Sequence, residues 1–122
     1  MNVTVAESEI MDALWRGGAM TADEIVSDVK ARMPWGDATV KTLINRLLKK
    51  KAIESVRADG RHSYRALLQR ADYVGAESKD LLDRLFGGQV APLVAHFAEH
   101  RKLTPEEVAR LKSLIEALDD GG

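Results

Sequence analysis

The chain has 122 residues, 45% of them hydrophobic and 30% charged, and no cysteine. That length makes one or two small domains, and that composition is globular rather than disordered. Without cysteine there is no disulfide framework, no thiol nucleophile and no thiolate metal site.

No apolar run is long enough to span a membrane. The N-terminal stretch Met1-Asn-Val-Thr-Val-Ala-Glu7 lacks the basic and apolar blocks of a signal peptide. The expectation is a cytoplasmic protein with no membrane insertion. The net charge of −1 hides a strong asymmetry. Residues 1–29 carry one basic and six acidic residues, 30–70 carry eleven basic and three acidic, and 71–122 carry six basic and ten acidic. A basic block between two acidic ones matters more to a phosphate backbone than the whole-chain charge does.

Thr4-Val-Ala-Glu7 has the spacing of a capping box. It predicts a first helix to about Arg16, with Ala6, Ile10, Ala13 and Leu14 inward, ended by Gly17 and Gly18. Thr21-Ala-Asp-Glu24 repeats the spacing. A second helix then runs to about Met33, with Ala22, Ile25, Val26 and Val29 inward. Pro34 stops it, because proline disfavours helical geometry at the residue before it.

Asp37 to Ile53 reads as a third helix, capped by Gly36 or Asp37, running into a strand. Val40, Leu43, Ile44, Leu47 and Leu48 recur at helical spacing and form one apolar face. Thr39, Thr42, Asn45, Arg46 and Lys49 fall largely opposite, and Lys41 and Lys50 join them as candidate DNA contacts. Such a front suits a major groove: Arg pairs with guanine, Asn with adenine, and a Thr methyl meets the thymine methyl. The competing reading is an ordinary solvated helix face.

Ile53–Ala58 and Arg61–Leu67 flank Asp59-Gly60, a strong hairpin signal because both turn residues tolerate positive φ. Arg57, Arg61 and Arg65 on the arms would meet phosphates beside the groove; otherwise they are charges that discourage edge pairing. Three helices and this hairpin predict a mainly α fold: a winged helix-turn-helix DNA-binding domain over residues 1–70.

Residues 71–122 are predicted as a helical dimerisation domain. Val74, Leu81, Leu82, Leu85 and Phe86 line one helix ended by Gly87 and Gly88, and Val90, Leu93, Val94 and Phe97 line a second. Pro92 fits there because it sits within the first turn. Thr104-Pro-Glu-Glu107 opens a third with a capping box and proline at the first position. Val108, Leu111, Ile115 and Leu118 continue it. About fifty residues cannot bury these stripes alone. A two-fold interface with a second copy of the chain solves that; folding back onto the winged domain is the alternative.

The chain resembles the penicillinase-repressor family (the BlaI, MecI and copper-responsive CopY relatives). The resemblance rests on Glu7-Ser-Glu-Ile-Met-Asp-Ala-Leu-Trp15, Thr21-Ala-Asp-Glu-Ile25, Trp35, and Thr39-Val-Lys-Thr-Leu-Ile-Asn-Arg-Leu-Leu-Lys-Lys-Lys51. The wing from Arg57 to Tyr64 and the Phe86-Gly-Gly88 break extend it over nearly the whole chain. It implies a homodimeric transcriptional repressor of β-lactam-resistance-type or stress genes, bound to a dyad operator in double-stranded DNA. In β-lactam-responsive members a membrane sensor-protease, or a protease downstream of it, triggers cleavage of an Asn-Phe bond in the dimerisation helices. The matching bond here is His96-Phe97, with the Phe kept and the Asn replaced. The copper-responsive members carry a cysteine cluster that this chain lacks, which excludes that mode.

His96-Phe-Ala-Glu-His100 also fits the pattern of an inverted zinc-peptidase motif, with His96 and His100 on one helical face and Glu99 as the base. A zinc hydrolase needs a third ligand and a cleft, which a chain this size, divided among small elements, does not offer. A regulator sensing a metal or inducer through His96, Glu99 and His100 is the second reading, and a pure protein-interaction module without DNA affinity the third. The favoured reading is a non-enzyme without a cofactor. His62 reads as a surface or phosphate-side residue, and Trp15 and Trp35 as packing residues.

Overall fold

The computed structural model describes residues 2–121, with the side chains of residue 58 and residues 118–121 left undescribed. The elements are α1 (Val5–Gly17), β1 (Met20–Thr21), α2 (Ala22–Lys30), α3 (Asp37–Lys49), β2 (Ile53–Ala58), β3 (Arg61–Ala66), α4 (Arg70–Phe86), α5 (Val90–Glu99) and α6 (Pro105–Gly121). They form two compact units, Met1–Ala76 and Glu77–Gly122. No described helix is long and apolar enough to cross a membrane.

The first unit is a winged helix-turn-helix. Both capping boxes form: Thr4 Oγ1 accepts from the Glu7 amide and Glu7 Oε1 from the Thr4 amide, and Thr21 and Glu24 repeat the exchange. Each satisfies two of the donors that a helix start leaves orphaned. Helix α2 stops at Lys30, a turn earlier than the proline predicts, and Arg32 and Met33 close the turn onto Val29 O. Ile10, Met11, Ile25, Val29, Leu47 and Ile53 are fully buried, each contributing roughly 1.5–3 kcal/mol of burial. Leu48, expected among them, is only half-buried. Arg16 of α1 and Arg32, in the turn after α2, bind Asp12, Asp28 and Glu9, tying the two helices at the surface.

The sheet has three strands in the order β1-β3-β2, all antiparallel. Strand β1, only two residues long, pairs Met20 with Tyr64 and Thr21 with Ser63. It pins the start of α2 to the wing, and the sequence reading has no counterpart for it. Asp59 (φ +54°) and Gly60 (φ +76°) both take the left-handed turn that their identity predicts. Trp15 anchors the rear: its Nε1 donates to Leu68 O at 2.9 Å, and its ring lies 5.6 Å from that of Tyr73. Trp35 packs against the core.

In the second unit, Gly87 and Gly88 end α4 with positive φ, and the Gly88 amide reaches Leu82 O at 2.8 Å. Thr104 Oγ1 caps the Glu107 amide at the start of α6, where Pro105 is the first residue. No residue of α4, α5 or α6 with a described side chain is buried. Leu85, Phe97, Leu114 and Ile115 are exposed large hydrophobic residues, with Leu85 and Leu114 at 60%.

Candidate nucleic-acid interface

Helix α3 divides cleanly. Val40, Leu43, Ile44 and Leu47 are buried, while Thr39, Lys41, Thr42, Asn45, Arg46 and Lys49 are all exposed. The four buried residues fix the rotation of the helix about its axis, and that rotation points the polar six outward. At the N-terminal end, Lys30 Nζ donates to Asp37 Oδ1 at 2.8 Å, tying α2 to α3. Lys30 and then Lys41 hold the Asp37 carboxyl below its ordinary range. Thr42 Oγ1 donates to Ala38 O at 2.9 Å, so its hydroxyl hydrogen is used within the helix. Ala38, Thr39, Thr42, Leu43 and Arg46 line a shallow concavity of about 260 Å³ on this front.

Lys50 is not part of that front. Its ammonium donates to Glu7 Oε1 at 2.5 Å and to Asn2 O at 2.7 Å. Glu7 is fully buried, and its Oε2 has no partner among the described residues. Burial alone would raise the Glu7 carboxyl, but hydrogen bonds from Lys50 and Thr4 outweigh it and leave the group below its ordinary value. A buried carboxylate without its counter-charge is costly, so Lys50 is committed inward. That pairing sets Lys50 apart from the exposed polar side chains of α3 with which the sequence groups it as a candidate DNA contact.

The wing arginines are exposed but do not act as one patch. Arg57 pairs across the hairpin with His62, and Arg61 with Ala58. Directly opposed residues share a face and adjacent ones alternate, so Arg57 and Arg61 lie on opposite faces of the wing. Arg61 lies beside Glu24 and, with it, lines a polar hollow that also includes Asp59 and Ser63. Arg65 is ion-paired with Glu54 on that face. Ser55 Oγ and His62 Nε2 are hydrogen-bonded on the Arg57 face.

The residues expected to join two copies lie in or beside the second unit's helices. Leu81, Leu85, Phe97, Val108 and Ile115 are exposed, and Leu93 and Leu111 are half-buried. The side chain of Leu118 lies outside the described residues. Leu93, Phe97, Leu103, Leu111 and Leu114 line an apolar concavity of about 410 Å³. Leu114 is missing from the sequence reading, although it falls one turn after Leu111 and its helical spacing could have found it. The His96-Phe97 bond sits in the last turn of α5.

The metal-sensing and zinc-hydrolase readings find no geometry here. Among the described residues no three His, Asp or Glu side chains are placed to hold an ion. His100 follows α5 as its cap, and its Nδ1 donates to His96 O at 2.8 Å, with the two rings 4.3 Å apart.

Comparison with known proteins agrees with this architecture. The solution structure of the Bacillus licheniformis BlaI monomeric form, in complex with the blaP half-operator, superposes with a TM-score of 0.54 at 23% identity. The match covers 60% of this chain and 89% of that one, and it shows the fold. The penicillinase repressor of Staphylococcus aureus is 28% identical over 94% of this chain and 91% of its own length. The methicillin resistance regulatory protein MecI of Staphylococcus aureus strain N315 is 26% identical over 93% and 92%. The family model described as penicillinase repressor matches residues 3–117. The chain belongs to the penicillinase repressor family.

Proposed function

We propose that this protein represses transcription by binding duplex DNA in the cytoplasm, with α3 in the major groove and the wing on the backbone, as a dimer on a dyad operator. The observation that carries the reading is the division of α3: six exposed polar side chains set opposite a stripe of four buried ones. Asn45 has the donor and acceptor that bidentate pairing with adenine requires, and Arg46 the two donors that guanine requires. Thr39 and Thr42 offer methyls, and Lys41 and Lys49 offer charge to phosphates. Arg57, or Arg61 on the other face of the wing, would supply the flanking backbone contact. The Staphylococcus aureus relative is named a penicillinase repressor, and the Bacillus licheniformis BlaI monomeric form was solved with a half-operator.

Two copies would join through α4–α6, because none of the described apolar side chains of these helices is buried. A second copy offers the same stripe, as a self-complementary two-fold interface requires. A cut at His96-Phe97 would divide this unit and so separate the two DNA readers.

The reading is tested by titrating the full chain against a duplex selected from a randomised pool and against its scrambled form, at several salt concentrations. The selected duplex is expected to bind about 10³-fold or more tighter, with log K falling linearly against log salt. Equal, salt-independent binding of both duplexes would overturn it.

A further inference from the structure

Helix α3 ends in a Schellman closure. The Ala52 amide donates to Leu47 O at 3.0 Å and the Lys51 amide to Leu48 O at 3.1 Å. Ala52 and Leu47 are both fully buried, as the apolar contact that accompanies this motif requires. The closure needs a left-handed residue at position 51, and Lys51 has φ +63°. Glycine takes that conformation freely, as Gly87 and Gly88 do after α4. A lysine there holds its Cβ against the following carbonyl, so it is the destabilising choice at this place. Strain retained in an ordered position points to a use for the side chain.

The surroundings say which use. Lys51 is exposed. The ion pairs of the first unit engage Arg16, Lys30, Arg32, Lys50 and Arg65 and leave Lys51 out among the described residues. Lys49 lies on the polar front of α3, and Lys50 between them is turned to Glu7. The geometry points to Lys51, in place of Lys50, as a further phosphate-binding residue, set at the end of the reading helix to take a phosphodiester oxygen beside the groove. This rests on the DNA-binding reading of α3. A competing role is attraction to the carbonyl end of the helix alone. Helix α5 closes in the same way around Arg101, at φ +54°.

Three variants of the full chain, Lys51→Gly, Lys51→Gln and Lys51→Arg, separate the two roles on the selected duplex. Lys51→Gly is expected to melt at a higher temperature than the wild type yet bind about fivefold more weakly at 0.15 M salt, with the salt slope flattened by about 0.9. Lys51→Gln should lose the same affinity and slope without the gain in melting temperature. Lys51→Arg should keep both. Unchanged salt slopes for Gly and Gln, with wild-type binding intact, would overturn the phosphate contact and leave only the helix-end role. A wild-type chain that binds no DNA would remove the DNA-binding reading itself.

Discussion

Lys50 and Glu7 are 43 positions apart and meet at 2.5 Å, so the consequence of losing either is set by burial rather than by surface charge. Lys50→Met would leave the buried Glu7 carboxylate without its strongest donor. The expected cost is about 1–3 kcal/mol in a urea or thermal melt, with the salt slope of DNA binding unchanged. Because the folded Glu7 carboxyl titrates below its ordinary value of 4.5, the pair's contribution is complete above that pH and is lost as pH falls through the lower folded value. The stability gap between wild type and Lys50→Met should therefore close on acidification below pH 4.5, and a gap that widens there would contradict the assignment. Arg46→Ala and Asn45→Ala should behave oppositely: each is expected to leave the melt nearly unchanged and to cost roughly 1–3 kcal/mol of binding to the selected duplex. Equal loss on scrambled DNA would reduce them to phosphate contacts.

At the scale of elements, the parts legible in the sequence are those whose signal is local. Thr4 with Glu7, and Thr21 with Glu24, state their helix starts within four residues, and Asp59-Gly60 states the turn within two. The stripe Val40, Leu43, Ile44, Leu47 states the rotation of α3 and hence its polar front. Strand β1 is not legible, because two residues carry no period; its existence depends on Tyr64 and Ser63 being there to pair. The inward turn of Lys50 is hidden for the same reason, since its partners Glu7 and Asn2 lie at the other end of the winged domain's sequence. The splitting of Arg57 from Arg61 follows from a register that the turn type fixes only once the strands are paired. That splitting has a consequence for the wing. Arg57→Ala and Arg61→Ala should not be equivalent, and only the one whose face meets DNA should flatten the salt slope, by about 0.9. Single-variant titrations against salt would show it; equal flattening by both would mean that the wing straddles a phosphate.

For the whole molecule, one winged domain supplies a single reading helix, and non-specific binding by such a module is expected at about 10⁻⁴ to 10⁻⁶ M. Joining two readers makes the second contact nearly intramolecular, which gains a factor of about 10² to 10⁴ without new contacts. Leu111→Asp with Ile115→Asp would place unpaired carboxylates in the proposed interface. The double variant should sediment as a monomer, keep a folded winged domain by circular dichroism, and lose tight binding. If it stays dimeric, the interface lies elsewhere. One comparison decides whether two copies read the operator together: the wild-type affinity for the complete selected duplex against its affinity for a duplex carrying one half-site. A dimer of two readers should select an inverted repeat and bind the full site about 10² to 10⁴ times more tightly than the half-site. A selected duplex without dyad symmetry, or equal affinities for the full and half sites, would contradict it.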